Sequence, residues 1–357
     1  MRRMEQQTEQ YRPRRYEVTG ADGVRLMAWD YAAAAAIAAP RRTRESGPAT
    51  GTATGPATGP ATGPATGPAT GPATGAVPGD AYPGDTRPAV LLLHGLLGRA
   101  SHWAETARRL APRYRTIALD QRGHGHSGRP QDPSAPEAYA ADAAAVVEQL
   151  GLGPVSVVGH GTGALTAWQL AAHRPDLVAA VVICEMRAAA PGEALRRVAE
   201  EWAQSWPVPF ATLADARRWF AEQDPFADVP SPARGEFFAE VMAEEDDGWR
   251  PRFAARLPGP GHPWIRDAHW DELAGVGCPA LVVRGLDGQL GRAEAHEMVR
   301  VLPQGRYAEV PDAGHLVPWD QPEAWCAVVE EFLREVAPRR PVTGRGCGTC
   351  NAEVRVV

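Results

Sequence analysis

The sequence predicts an α/β domain: a doubly wound, mostly parallel sheet with a helical cap inserted before its last two strands. Three observations carry that reading. Uninterrupted apolar runs, such as those within Arg87–Trp103, Leu177–Cys184 and Pro279–Gly285, have the composition of strands buried on both faces. Helical patterns separate them, as at Glu105–Leu110, residues 137–150 and Arg292–Leu302, which is the alternation of a parallel sheet. Between about Pro191 and Trp270 the pattern changes to helices broken by prolines, with no strand expected among them.

In chain order, residues 1–31 end in two short strands around Ala21-Asp22-Gly23, a hairpin signal. Residues 32–84 are Ala, Gly, Pro and Thr, with GPAT recurring from Gly47 to Thr74. A period of four excludes a collagen helix, and the lack of large apolar groups leaves nothing to offset ordering entropy. This segment is expected to be a disordered insertion between two strands of one sheet. The sheet continues over residues 85–190, the cap over 191–272, the rest of the sheet over 273–336, and a flexible tail over 337–357. Six of the eleven tryptophans fall in the cap stretch: Trp202, Trp206, Trp219, Trp249, Trp264 and Trp270. Such side chains line an apolar ligand pocket or bind the cap helices to one another.

The formal charge of −6 argues against non-specific nucleic-acid binding, which requires a basic face. No apolar stretch is long enough to span a bilayer, and the start lacks the apolar core of a signal peptide. A cytoplasmic protein with reduced thiols is expected, because five scattered cysteines make no disulfide framework. Cys347 and Cys350 form one C-x-x-C without a second pair, so no metal and no cofactor are expected.

The stretch Val155–Pro175 holds the chemistry. A buried strand breaks at a glycine cluster and resumes as a helix, the geometry that displays the central residue of G-x-S-x-G above a sheet. Gly159 and Gly163 stand where that motif needs small residues, but its centre is Gly161. The scaffold is present and the nucleophile is not.

With four segments in order, the chain resembles the capped, single-domain members of the α/β-hydrolase superfamily. These are His94-Gly95, Asp120 to Gly128 (DQRGHGHSG), the elbow, and Asp312 to His315 (DAGH), over about Tyr16–Val336 outside the repeat. The resemblance implies that His315 is the catalytic base and that the backbone N–H groups of Leu96 and Thr162 form the oxyanion hole. It places the orienting acid at Asp287, in the loop after Leu281–Val283, or at Glu185, at the end of the strand before the cap. Asp287 is the first choice; Glu185 resembles the placement in haloalkane dehalogenases. His94, Trp202 and Trp219 are the expected pocket residues.

Gly161 excludes a covalent ester intermediate. The expected function is therefore a hydrolase-like enzyme for a small apolar or aromatic substrate, with His315 acting as general base without a covalent serine intermediate. The alternative is an inactive pseudoenzyme that binds a small apolar ligand or a protein partner. The oligomeric state is not legible in the sequence.

Overall fold

In the computed structural model the described residues are 13–31, 85, 87–130, 135–227, 229–252, 267–336 and 355–356. The GPAT repeat, Trp264 and the Cys347/Cys350 pair lie outside them.

β1 (Arg14–Thr19) and β2 (Arg25–Asp30) form the antiparallel hairpin. Its turn is a short 3₁₀ segment in which Asp22 and Gly23 have positive φ. The apolar runs become β3 (Ala89–Leu93), β4 (Arg115–Asp120), β5 (Val155–His160) and β6 (Val178–Cys184). After the insertion come β9 (Ala280–Gly285) and β10 (Gly305–Val310). The order across the sheet is β10-β9-β6-β5-β3-β4-β2-β1, closed by β11 (Arg355–Val356) on the edge of β1. From β10 to β4 every pairing is parallel; β2 and β1 are antiparallel.

Alternate residues of these strands sort to two apolar layers. Leu91, Leu93, Val157 and Ile183 pack on one face of the sheet, whereas Val90, Leu92, Val158 and Val182 pack on the other. Both faces are covered by helices, so the strands need no polar alternation, which is why they read as continuous apolar runs.

The chain passes from β3 to β4 on one side and later to β5 on the other, so the strand order reverses at β3. The carboxyl ends of β3 and β5 are therefore neighbours around a crevice, where ligands bind in open α/β sheets.

Between β6 and β9 lie helices Glu193–Gln204, Leu213–Arg218 and Pro232–Glu240. Thr212 and Ser231 cap the last two by accepting from Asp215 N and Arg234 N. The insertion also holds strands, contrary to expectation: β7 (Met242–Glu245) and β8 (Gly248–Pro251) form a two-stranded antiparallel hairpin. The helix that begins at Pro232 stops at Glu240. Asp246-Asp247 make the turn, Gly248 opens β8 at φ 133°, and Phe210 and Trp249 exchange both backbone hydrogen bonds (3.0 and 2.8 Å), so the hairpin is anchored by pairing and not by its polar sequence.

The aromatic residues of the insertion form their own cluster. Trp206, Phe210, Phe220, Phe237 and Phe238 are buried together with Leu316, and Leu97 and Trp319 pack against them. Leu97 follows β3 and Leu316 follows β10, so the insertion sits over the carboxyl-end loops. Two polar contacts reinforce that seat: the His102 ring with Phe237 O (3.0 Å) and Arg99 Nη1 with Glu240 O (3.0 Å).

Candidate functional site

The elbow is built by backbone crowding. A Cβ on Gly159 would stand 2.3 Å from Gly163 O, and one on Gly163 would stand 2.3 Å from Leu93 O. Neither position tolerates a side chain, which allows β5 and the helix Thr162–His173 to meet across a single residue. That residue, Gly161, has φ 52° and ψ −127°. Its N–H donates to Cys184 O (2.9 Å) and its carbonyl accepts from Ala164 N (2.8 Å), so the turn is held in place without a side chain. Unlike its flanking glycines, Gly161 has room above it: a Cβ there would meet only Gly95 Cα at 3.6 Å and His315 Nε2 at 4.0 Å.

His315 follows β10 in a loop shaped by Asp312, at φ 52°, and by the bond from Gly314 N to Asp320 Oδ2 (2.9 Å). Its Nδ1 lies 3.3 Å from Glu185 Oε2. A proton on Nδ1 donated to that carboxylate leaves the Nε2 lone pair facing the elbow. Glu185 is fully buried at the end of β6, at φ 52°, and accepts from Gly285 N (2.9 Å), Gln289 N (2.8 Å) and Leu290 N (3.2 Å). Backbone donors on both oxygens complement a negative charge and fix the carboxylate's orientation.

Asp287, the first choice for the acid, is placed elsewhere. It is exposed, and its N–H donates to Ala313 O (3.0 Å). The carboxylate facing the imidazole is that of Glu185. Gly288 explains the geometry: a Cβ there would stand 2.2 Å from Glu185 Oε1, so the Glu185 side chain occupies the room that a side chain at 288 would need.

The two residues expected to supply oxyanion donors lie at a helix start and in a turn. Thr162 is the first residue of its helix, so its N–H has no intrahelical acceptor. Leu96 lies in a turn closed by Gly98 N donating to Gly95 O (2.9 Å), and its carbonyl is bonded by His124 Nε2.

The expected pocket residues are placed differently. His94 is fully buried; its Nδ1 bonds Gly95 O (2.7 Å) and its Nε2 accepts from Gln121 N (3.0 Å). It shapes the loop after β3 and lines no open surface. Trp202 donates to Asp224 Oδ2 (2.8 Å) and packs edge-on against Phe238, while Trp219 packs against Phe210. Both join elements of the insertion to each other. Three side chains near the site were not singled out from the sequence: His160, Trp319 and Asp320. Trp319 touches the rings of His102, His160 and Phe237 and so joins the insertion to the base loop. Their only sequence signal is adjacency, one to the elbow centre and two to His315.

Several imidazoles here are buried and neutral. Desolvation, aided by the neighbouring His124, lowers His94 to about 3; desolvation, aided by His315, lowers His160 to about 3. An unfolded histidine titrates near 6.5, so between that pH and about 3 the unfolded chain binds the extra protons. The stabilisation is full above about pH 6.5 and is lost progressively as the pH falls towards 3. Each ring is expected to cost ~2 kcal/mol at pH 5 relative to pH 8. Thermal unfolding followed by circular dichroism should show a melting point that drops steadily from pH 7 to pH 5; a flat profile would contradict neutral burial.

Among the described residues no group of three or more His, Cys, Asp or Glu side chains is arranged to hold a metal ion. Among them, too, no helix is long and apolar enough to cross a membrane.

A mostly parallel sheet, a glycine-flanked elbow at its strand-order reversal, and a histidine–carboxylate pair facing that elbow define a nucleophile-elbow α/β protein. Comparison with known proteins agrees. The family signature for the alpha/beta hydrolase fold matches residues 88–226. Lipase LipV of Mycobacterium tuberculosis is 30% identical over 261 residues, covering 70% of this chain and 95% of the lipase. The 2-(acetamidomethylene)succinate hydrolase of Mesorhizobium japonicum is 29% identical over 252 residues, covering 69% of this chain and 88% of that enzyme. A crystal structure of E-2-(acetamidomethylene)succinate hydrolase superposes with a TM-score of 0.63 at 27% identity, over 69% of this chain and 91% of that one. The chain belongs to the α/β-hydrolase superfamily.

Proposed function

We propose that the protein is a hydrolase-type enzyme for a small apolar or aromatic carbonyl substrate, with His315 as general base acting on water and no covalent acyl intermediate. The observation that carries this is the aim of the imidazole. Its Nδ1 is engaged by a buried carboxylate, and its Nε2 stands 4.0 Å from where a Cβ on Gly161 would lie. In the proposed step Nε2 takes a proton from water over Gly161 as the oxygen attacks the substrate carbonyl. The N–H groups of Thr162 and Leu96 receive the developing oxyanion, and the Glu185 carboxylate stabilises the imidazolium. His315 then returns the proton to the leaving group. The named hydrolase and lipase relatives support a small carbonyl compound as the substrate class.

A second reading, ligand binding without turnover, is favoured by Gly161 itself. One experiment separates the two. Small molecules that co-purify with the protein are identified by mass spectrometry and incubated with the parent and with His315→Ala. Turnover that falls by ~10²-fold or more in the variant supports the base, in line with the usual contribution of general-base catalysis. Binding by both chains with conversion by neither supports the receptor-like reading.

A further inference from the structure

His160, the residue before the elbow centre, has no role in the steps above, yet it touches His315 twice. Its Nε2 lies 2.8 Å from His315 O, and the two rings lie with centroids 4.7 Å apart, tilted by 53°. Trp319 closes another side of the His160 ring at 5.3 Å. The ring is 2% exposed, and burial keeps it neutral. A neutral imidazole has one N–H, and the facing carbonyl assigns it to Nε2. Nδ1 is left as a bare acceptor with no partner among the described residues, 3.0 Å from where a Cβ on Gly95 would stand. A buried, unmatched acceptor is unfavourable, so an apolar ring would serve packing better. What histidine supplies is the donor to His315.

The elbow makes that donor matter. Glycine at 161 offers Nε2 no bond, and a serine there would bond it only if the ring were already aimed at the hydroxyl, so the aim must come from elsewhere in either case. Glu185 holds Nδ1 at 3.3 Å, and Asp320 holds the N–H of the preceding Gly314. Neither restrains the main chain of residue 315 itself. We infer that His160 is a positioning residue for His315: its Nε2–H anchors the His315 carbonyl and its ring backs the imidazole, so that Nε2 stays aimed over Gly161. This inference rests on the reading of His315 as the base, so its test must separate the two.

The full-length chain is compared with His160→Leu, which removes the donor, and His160→Gln, which keeps one; His160→Met is the second donor-free form should leucine not fold. The first readout is the downfield proton resonance of His315 Nδ1–H bonded to Glu185, assigned by its loss in Glu185→Gln. The second is kcat and KM for an aryl acetate, measured with each substitution placed on Gly161→Ser. The expected result is a broadened or absent resonance and a kcat lowered ~10-fold or more at unchanged KM in the donor-free forms, with most of both regained in His160→Gln. A folded donor-free variant that keeps the resonance and kcat overturns the positioning role and leaves the base reading standing. A parent without any resonance that Glu185→Gln removes overturns both.

Discussion

Gly161→Ser is expected to convert this chain into an esterase, raising hydrolysis of small aryl esters on the order of 10³-fold over the parent. The space for the new side chain exists: a Cβ at 161 makes only ordinary contacts, and its nearest polar neighbour is the Nε2 of His315 at 4.0 Å. The backbone turn that a displayed serine needs is held by Gly161 N on Cys184 O and by Ala164 N on Gly161 O, so the substitution inherits it. There is a cost. At φ 52° and ψ −127° a residue with a Cβ is strained, by ~1–3 kcal/mol. The serine variant should therefore melt lower than the parent while gaining activity, and Gly161→Ala should melt lower and gain none. Steady-state hydrolysis of p-nitrophenyl acetate, with mass spectrometry of the intact chain for an acyl adduct, checks both halves. A folded serine variant that never acquires the adduct would place the base or the oxyanion donors out of reach.

In that serine background the two carboxylates should behave oppositely. Glu185→Gln is expected to lower kcat by ~10³–10⁴-fold, while Asp287→Asn changes it less than ~2-fold. Glu185 Oε2 meets Gln289 N, Leu290 N and His315 Nδ1 together while Oε1 meets Gly285 N, so in either amide orientation glutamine turns its NH2 group onto a backbone N–H, and the charge that stabilises an imidazolium is gone. Asp287 is exposed and contributes its main chain to the loop. The same kinetics with each variant decide the matter: comparable losses at both positions would mean that the loop, not the carboxylate, orients the imidazole.

Much of the architecture was legible because it depends on burial alone. Strands covered on both faces must be apolar throughout, and the elbow's flanking glycines announce a backbone approach that no side chain survives. The place of His315 facing the elbow was legible for a related reason, since it sits a fixed few residues beyond a strand end. Which carboxylate would face its ring was not. Choosing between Asp287 and Glu185 requires the register of β6 against β9, in which Cys184 pairs with Val283, and the depth to which a longer side chain reaches from that position. Neither is a local property. The hairpin at 242–251 was hidden because its strands are polar and held by the exchange between Phe210 and Trp249. The packing partners of Trp202 and Trp219 were not legible because an aromatic residue on an inserted helix has the same pattern whether it faces a ligand or another helix. His160 and His94 were overlooked or misassigned because their partners are main-chain carbonyls and amides, which leave no trace in the order of side chains.

The crowding between Gly288 and Glu185 carries a further consequence for how this site can be rebuilt. Two seats for one carboxyl group overlap in space, so they are alternatives and never additions. Supplying an aspartate at 288 alone drives a methylene into an occupied anion; emptying 185 alone strands three amide donors and an imidazole. Each step taken singly is damaging, whereas the paired exchange keeps one carboxylate and removes the collision. Laboratory relocation of the acid would therefore have to change both positions at once, with the intermediate forms less fit than either end.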